Sequence, residues 1–143
     1  ADSEIIVDKP ELLHNKVLII EDGPTLTHGD MTTGAGYEAF ELFADHHESI
    51  SMPKKFAIGT IKAVYYKYPR LKYILPAMGY SEQQIKDLEE TINSSDADVV
   101  LSATPIDLSK VINIKKPIVR VTYKLKPHED LNIVNIVDKL LYY

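Results

Sequence analysis

A strand-end carboxylate, two hydroxyls, one imidazole and a pair of glycines share a single stretch, VLIIEDGPTLTHGDMTTGAG, residues 17–36. Asp22 closes the apolar run Val17-Leu18-Ile19-Ile20, the place where an acid holds Mg²⁺ directly or through water. It is the candidate metal ligand and the first candidate catalytic residue. His28 is the second, because an imidazole binds a phosphate oxygen or shuttles a proton near neutral pH. Thr25 and Thr27 flank it with hydroxyl donors suited to a phosphorylated ligand or nucleotide. Gly34 and Gly36 open a helix, whose unpaired amides and dipole attract phosphate; alternatively, the two glycines let that helix pack closely on the sheet. Glu21 points away from Asp22 if strand geometry persists, and either acid can instead accept backbone N–H bonds as a loop cap.

Two further loops follow apolar strands, Pro76-Ala-Met-Gly79 and Thr104-Pro-Ile-Asp107. In open α/β sheets ligands bind outside the carboxyl ends of the strands, so Gly79, Thr104 and Asp107 join the candidate ligand contacts. Thr104–Asp107 resembles the Asn/Thr-Lys-x-Asp loop of GTPases, with Pro105 in place of the lysine that packs along guanine. Asp107 has a purely local alternative, as N-cap of the turn Leu108-Ser-Lys-Val. His46-His47 are adjacent and diverge on a helix, which argues against a metal pair.

The elements that must position these loops can be read from periodicity. Val17–Glu21 and Val99–Leu101 are continuous apolar runs, the pattern of parallel strands covered on both faces. Glu4-Ile5-Ile6-Val7 reads as an edge strand or lead-in, Ser49–Met52 as a short strand, and Tyr73-Ile74-Leu75 as another. From Gly36 the period becomes helical, with Tyr37, Phe40, Ala44 and His47 on one side. A second helical stripe, Ile58 to Tyr68, stops at Pro69. Ser81-Glu-Gln-Gln84 is a capping box that starts a helix burying Ile85, Leu88 and Ile92. Ile118–Leu125 alternates and reads as a half-exposed strand near a sheet edge, and Pro127 starts a last helix. Strands alternating with helices imply one α/β domain over residues 1–143, a three-layer Rossmann-like fold with a mostly parallel sheet.

Composition narrows the partners. The 143 residues are 45% hydrophobic and 26% charged, with a net charge of −5 and no cysteine. Disulfides and thiolate metal sites are excluded. The basic stripe needed for nucleic acid is missing, and no apolar run approaches the roughly 20 residues of a membrane span. With no signal-peptide pattern at the start, the expected location is the cytoplasm.

The blocks EDGPTLTHG, GAGY, LPAMGYSEQQIKDLEETIN, ATPIDL and KKPIVRVTY together resemble the C-terminal portion of the cyclic 2,3-diphosphoglycerate synthetase family, which overlaps archaeal predicted GTPases. The resemblance runs from about Ile6 to Leu125. It implies a phosphorylated-ligand- or nucleotide-binding domain of an enzyme that uses ATP and Mg²⁺ to close a cyclic phosphoanhydride. Members of that family carry an upstream P-loop, whereas G-x-x-x-x-G-K-[ST] is absent from this sequence. The expected partners are therefore a small phosphorylated molecule and a P-loop domain, in cis or in trans, without which the chain is an incomplete ligase. The competing reading is a non-enzymatic assembly or regulatory module whose last helix, ending Leu140-Leu141-Tyr142-Tyr143, packs on a partner or on a second copy as a homodimer.

Overall fold

The computed structural model describes residues 2–22, 34–44, 49–77 and 81–126, with side chains given for 4–21, 34–44, 49–77 and 81–122. Five strands, β1 (Asp2–Val7), β2 (Val17–Asp22), β3 (Ile74–Ala77), β4 (Val99–Ser102) and β5 (Ile118–Lys126), form one sheet in the order β1-β5-β4-β2-β3. β2 runs parallel to both β3 and β4, and β4 parallel to β5; only β1 is antiparallel, against β5. Among the described residues three α-helices accompany it: α1 (Ala35–Phe43), α2 (Thr60–Lys67) and α3 (Glu82–Ser94). This is a three-layer, mostly parallel α/β domain of Rossmann-like type.

The continuous apolar run of β2 has the environment its composition requires. Val17, Leu18, Ile19 and Ile20 are all completely buried, so both faces of the strand are covered. Each such side chain contributes roughly 1.5–3 kcal/mol by leaving water. α1 covers the face that carries Ile19 and Glu21. A Cβ on Gly36 would lie 2.7 Å from Ile19 Cγ2 and 3.3 Å from Ala103 Cβ, so the helix can sit this close to β2 and the end of β4 only because residue 36 has no side chain.

α2 and α3 pack on each other, joined by a carboxylate. Asp87 of α3 accepts from the Thr60 amide at 2.9 Å and the Thr60 hydroxyl at 2.8 Å, and also from Gln83 Nε2 at 2.8 Å. The N-cap of α2 is Gly59, in the left-handed region at φ 55°. Glycine tolerates that backbone but brings no capping side chain, so Asp87 supplies the missing acceptor from the next helix. The Tyr65 hydroxyl, fully inside, donates to the Ile74 carbonyl at 2.6 Å and ties α2 to β3.

Several expectations are modified. β5 is near the sheet edge as expected, second from it, with β1 as the edge strand along its outer side; its alternation reflects one buried face, Val119 and Val121, and one more exposed face. The segment 49–52 makes only an isolated bridge, Val17 to Ile50. α1 stops at Phe43, and Ala44 already has extended backbone at φ −83°, ψ 147°. Ser81 does cap α3 by accepting from the Gln84 amide at 3.3 Å, but its hydroxyl donates to Gln84 Oε1 at 3.0 Å, so the reciprocal half of the box runs between side chains. His47 and the helix expected from Pro127 lie outside the described residues. Among the described residues no helix is long and apolar enough to cross a membrane.

Candidate functional site at the carboxyl edge

The sheet order fixes where a ligand cleft belongs. From β2 the chain goes outward to β3, and through α3 it then returns across β2 to β4. The direction of winding therefore reverses between β2 and β4, and the carboxyl ends of these two strands flank the topological switch point, where open α/β sheets hold their ligands. β2 ends at Glu21-Asp22 and β4 ends at Ser102, followed by Ala103 and Thr104.

Glu21 takes a definite role there. Its Oε2 accepts from the Gly34 amide at 2.9 Å and from the Tyr37 amide at 3.2 Å. Gly34 is the N-cap of α1 and contributes no side-chain cap of its own. The carboxylate thus sits where unpaired helix amides and the positive end of the dipole would otherwise attract an anion. Burial pushes the Glu21 carboxyl above its ordinary pKa, and the amides of Gly36, Tyr37 and Gly34 pull against that shift. The arrangement repeats that of Gly59 and Asp87: each helix starts on a glycine, and a carboxylate from a neighbouring element supplies the cap.

This alters the reading of the two glycines. The Gly34 amide, expected to face phosphate, is engaged by Glu21, and Gly36 serves the close packing of α1 against Ile19 and Ala103. In this structure the Gly34 and Tyr37 amides at the start of α1 are taken by Glu21.

Thr104 and Asp107 shape the second loop. Thr104 is buried, and its Oγ1 accepts from the Ile106 amide at 3.4 Å. Asp107 N-caps the 3₁₀ turn Leu108–Lys110: its Oδ1 accepts from the Ser109 amide at 3.2 Å and from the Ser109 hydroxyl at 2.7 Å. Its Oδ2 lies 3.6 Å from Arg120 Nη1. The Ser109 hydroxyl above all holds the Asp107 carboxyl below its ordinary range; burial opposes it, and the Ser109 amide and the Arg120 charge add to the lowering. The local capping role of Asp107 is thus realised through Oδ1. Among the described residues no group of three acids or histidines is arranged to hold a metal ion.

Thr25, Thr27, His28 and Gly79 lie outside the described residues, as does the side chain of Asp22, whose backbone ends β2 opposite Ala77 of β3. The structure brings two unexpected residues to the same edge. Ser102 of β4 is in register with Ile20 of β2 on one side and with Arg120 of β5 on the other. The Ser102 hydroxyl is buried and has no hydrogen-bond partner among the described residues. Both residues carry a signal in the sequence. A lone hydroxyl ends the apolar run Val99-Val100-Leu101, and Arg120 belongs to the polar phase of an alternating strand.

No protein-family model and no solved structure matches the chain. It is similar to a curated protein of Thermococcus kodakarensis named arginine synthetase ArcE, at 56% identity over 127 residues. The match covers 88% of this chain and 28% of the relative, so the chain spans little more than a quarter of that protein's length. The similarity supports a synthetase-type domain. The relative's name is not that of the cyclic 2,3-diphosphoglycerate synthetase family that the motifs resemble.

Proposed function

We propose that this chain is the substrate-side domain of a cytoplasmic synthetase of the arginine-synthetase type, contributing the β2–β4 edge to an active site that the remainder of a longer polypeptide, or a second chain, completes. The observation that carries the reading is the 56% identity to part of a synthetase, spanning the strands that flank the switch point. A synthetase couples nucleoside triphosphate cleavage to bond formation. The sequence lacks the lysine-bearing loop that cradles the β- and γ-phosphates, and the α1 amides are held by Glu21. Nucleotide and Mg²⁺ handling therefore falls to a P-loop partner, and this domain orients the acceptor substrate.

The substrate class is a small metabolite bearing a carboxylate or phosphate. 2,3-Diphosphoglycerate, from the resemblance in the motifs, belongs to it, and arginine, the product in the relative's name, carries the same carboxylate as an amino-acid substrate. Asp22 and His28 stand as the acid–base candidates of this domain, and Thr25, Thr27, Gly79 and Thr104 as substrate contacts.

Isothermal titration of the 143-residue chain with L-arginine, 2,3-diphosphoglycerate and ATP–Mg²⁺ tests the proposal. Saturable binding of arginine or 2,3-diphosphoglycerate, with ATP–Mg²⁺ weaker than either, is the expected result. A folded chain that binds none of the three, or ATP–Mg²⁺ alone, would overturn it.

A further inference from the structure

Ser102 poses a problem that the fold does not solve. A buried hydroxyl without a partner forfeits its hydrogen bonds to water and gains none in return, which ordinarily marks a strained site or a missing ligand. This hydroxyl is at the carboxyl end of β4, beside the switch point, and the rest of the described core is satisfied. Alanine would fill the same space without the penalty, so sheet packing alone gives no reason for serine here.

Its neighbours indicate what is missing. In a parallel sheet, side chains in register project from the same face, on strands about 4.8 Å apart. Ser102 therefore has Ile20 on one side and Arg120 on the other. The Arg120 side chain is about one-third exposed, at 34%, and its charged partner among the described residues is Asp107, at 3.6 Å. That contact is too long for the paired N–H···O geometry a guanidinium makes with a carboxylate, so among the described residues the guanidinium makes no bidentate pair. Along β5 the covering layer also thins: Ile118 and Arg120 are half-buried and Thr122 is exposed. A ligand approaching from the β5 side would follow the Arg120 side chain inward to the hydroxyl.

From this juxtaposition we infer that Ser102 and Arg120 form an oxyanion subsite, which takes the carboxylate or phosphate group of the substrate. Arg120 supplies the charge and two directed N–H donors, and the Ser102 hydroxyl supplies a third. Asp107, itself fixed by Ser109, holds the guanidinium at the strand edge until the ligand oxygen replaces it. The inference rests on the functional reading above and names the part of the edge that recognises the anion.

The test uses the 143-residue chain and the variants Ser102→Ala and Arg120→Lys, with far-UV circular dichroism to verify folding. Titrants are inorganic phosphate, L-arginine, 2,3-diphosphoglycerate and agmatine, which is arginine without its carboxylate. Both substitutions should weaken binding roughly ten- to a hundredfold, the effect of losing a hydrogen bond to a charged group. Without ligand, Ser102→Ala should melt a few degrees above the parent, because it removes an unsatisfied group, a rise of about 3–10 °C. Arginine binding with agmatine excluded identifies a carboxylate as the anion; tight inorganic phosphate and 2,3-diphosphoglycerate binding identifies a phosphate. If the parent binds and both variants bind equally well, the subsite is wrong while the parent reading stands. If the parent binds none of these anions, both fall.

Discussion

Replacing Glu21 by alanine removes the acceptor that closes the start of α1, and the structure sets the size of the effect. The Gly34 and Tyr37 amides lose a partner at 2.9 Å and 3.2 Å, in a site where Glu21 is only 5% exposed and water does not readily substitute. Loss of a capping acceptor costs about 0.5–2 kcal/mol. Releasing a desolvated carboxylate offsets part of this, so the net loss near neutral pH is about 1 kcal/mol. For 143 residues the unfolding entropy is about 0.3 kcal/mol/K, which places the fall in Tm at about 3 °C. Thermal melts with and without acetate are the assay. Acetate can enter the vacated carboxylate position, so it should restore part of the loss in Glu21→Ala and leave the parent unchanged. Glu21→Gln separates charge from hydrogen bonding. Because burial raises the folded-state pKa of Glu21, its contribution is full below the ordinary carboxylate pKa and declines as pH rises through the folded value. The stability of Glu21→Gln relative to the parent should therefore improve from pH 4 to pH 7. A Glu21→Ala protein that melts at the parental temperature and ignores acetate would refute the account of the α1 cap.

Two other perturbations test the supports of the site. Gly36→Ala introduces a Cβ 2.7 Å from Ile19 Cγ2; overpacking of about 1–3 kcal/mol outweighs the gain in helix propensity of about 1 kcal/mol, so the urea midpoint should fall, and a midpoint at or above the parent's would contradict the close packing. The Thr60 amide, followed by the Thr60 hydroxyl, holds the Asp87 carboxyl below its ordinary pKa, so its contribution is present above about pH 4 and lost as pH falls through the folded value. Melting temperatures measured from pH 6 to pH 3 should decline less steeply in Asp87→Asn than in the parent, and parallel declines would rule out the latch between α2 and α3.

Much of the frame was legible because the relevant forces are local. The unbroken apolar run Val17–Ile20 announced a strand covered on both faces, and all four side chains are completely buried. Ser81 announced the start of α3, and Asp107 the start of its 3₁₀ turn. Alternation in Ile118–Leu125 reported which face is buried and placed β5 near a sheet edge, but it says nothing of lateral neighbours, so the pairing with β1 came only from the structure. The caps of α1 and α2 were harder to read, since a glycine N-cap conceals its acceptor in another element: Glu21 lies 13 residues before Gly34, and Asp87 lies 27 residues after Thr60. The pairing of Ser102 with Arg120 depends on strand order, which periodicity does not encode.

The antiparallel edge has a consequence for biosynthesis. Asp8 and Arg120, whose carboxylate and amide meet at the mouth of the β1–β5 pair, are 112 residues apart in the chain. At about 5–20 residues per second, the ribosome makes β1 roughly 6–20 s before its partner exists. During that interval Ile5, Ile6 and Val7 lack their β5 partners, whereas β4 precedes its β5 partners by only about 18 residues. Closure of the β1–β5 pair is therefore a late, long-range event in translation, and β1 is paired only long after it has been made.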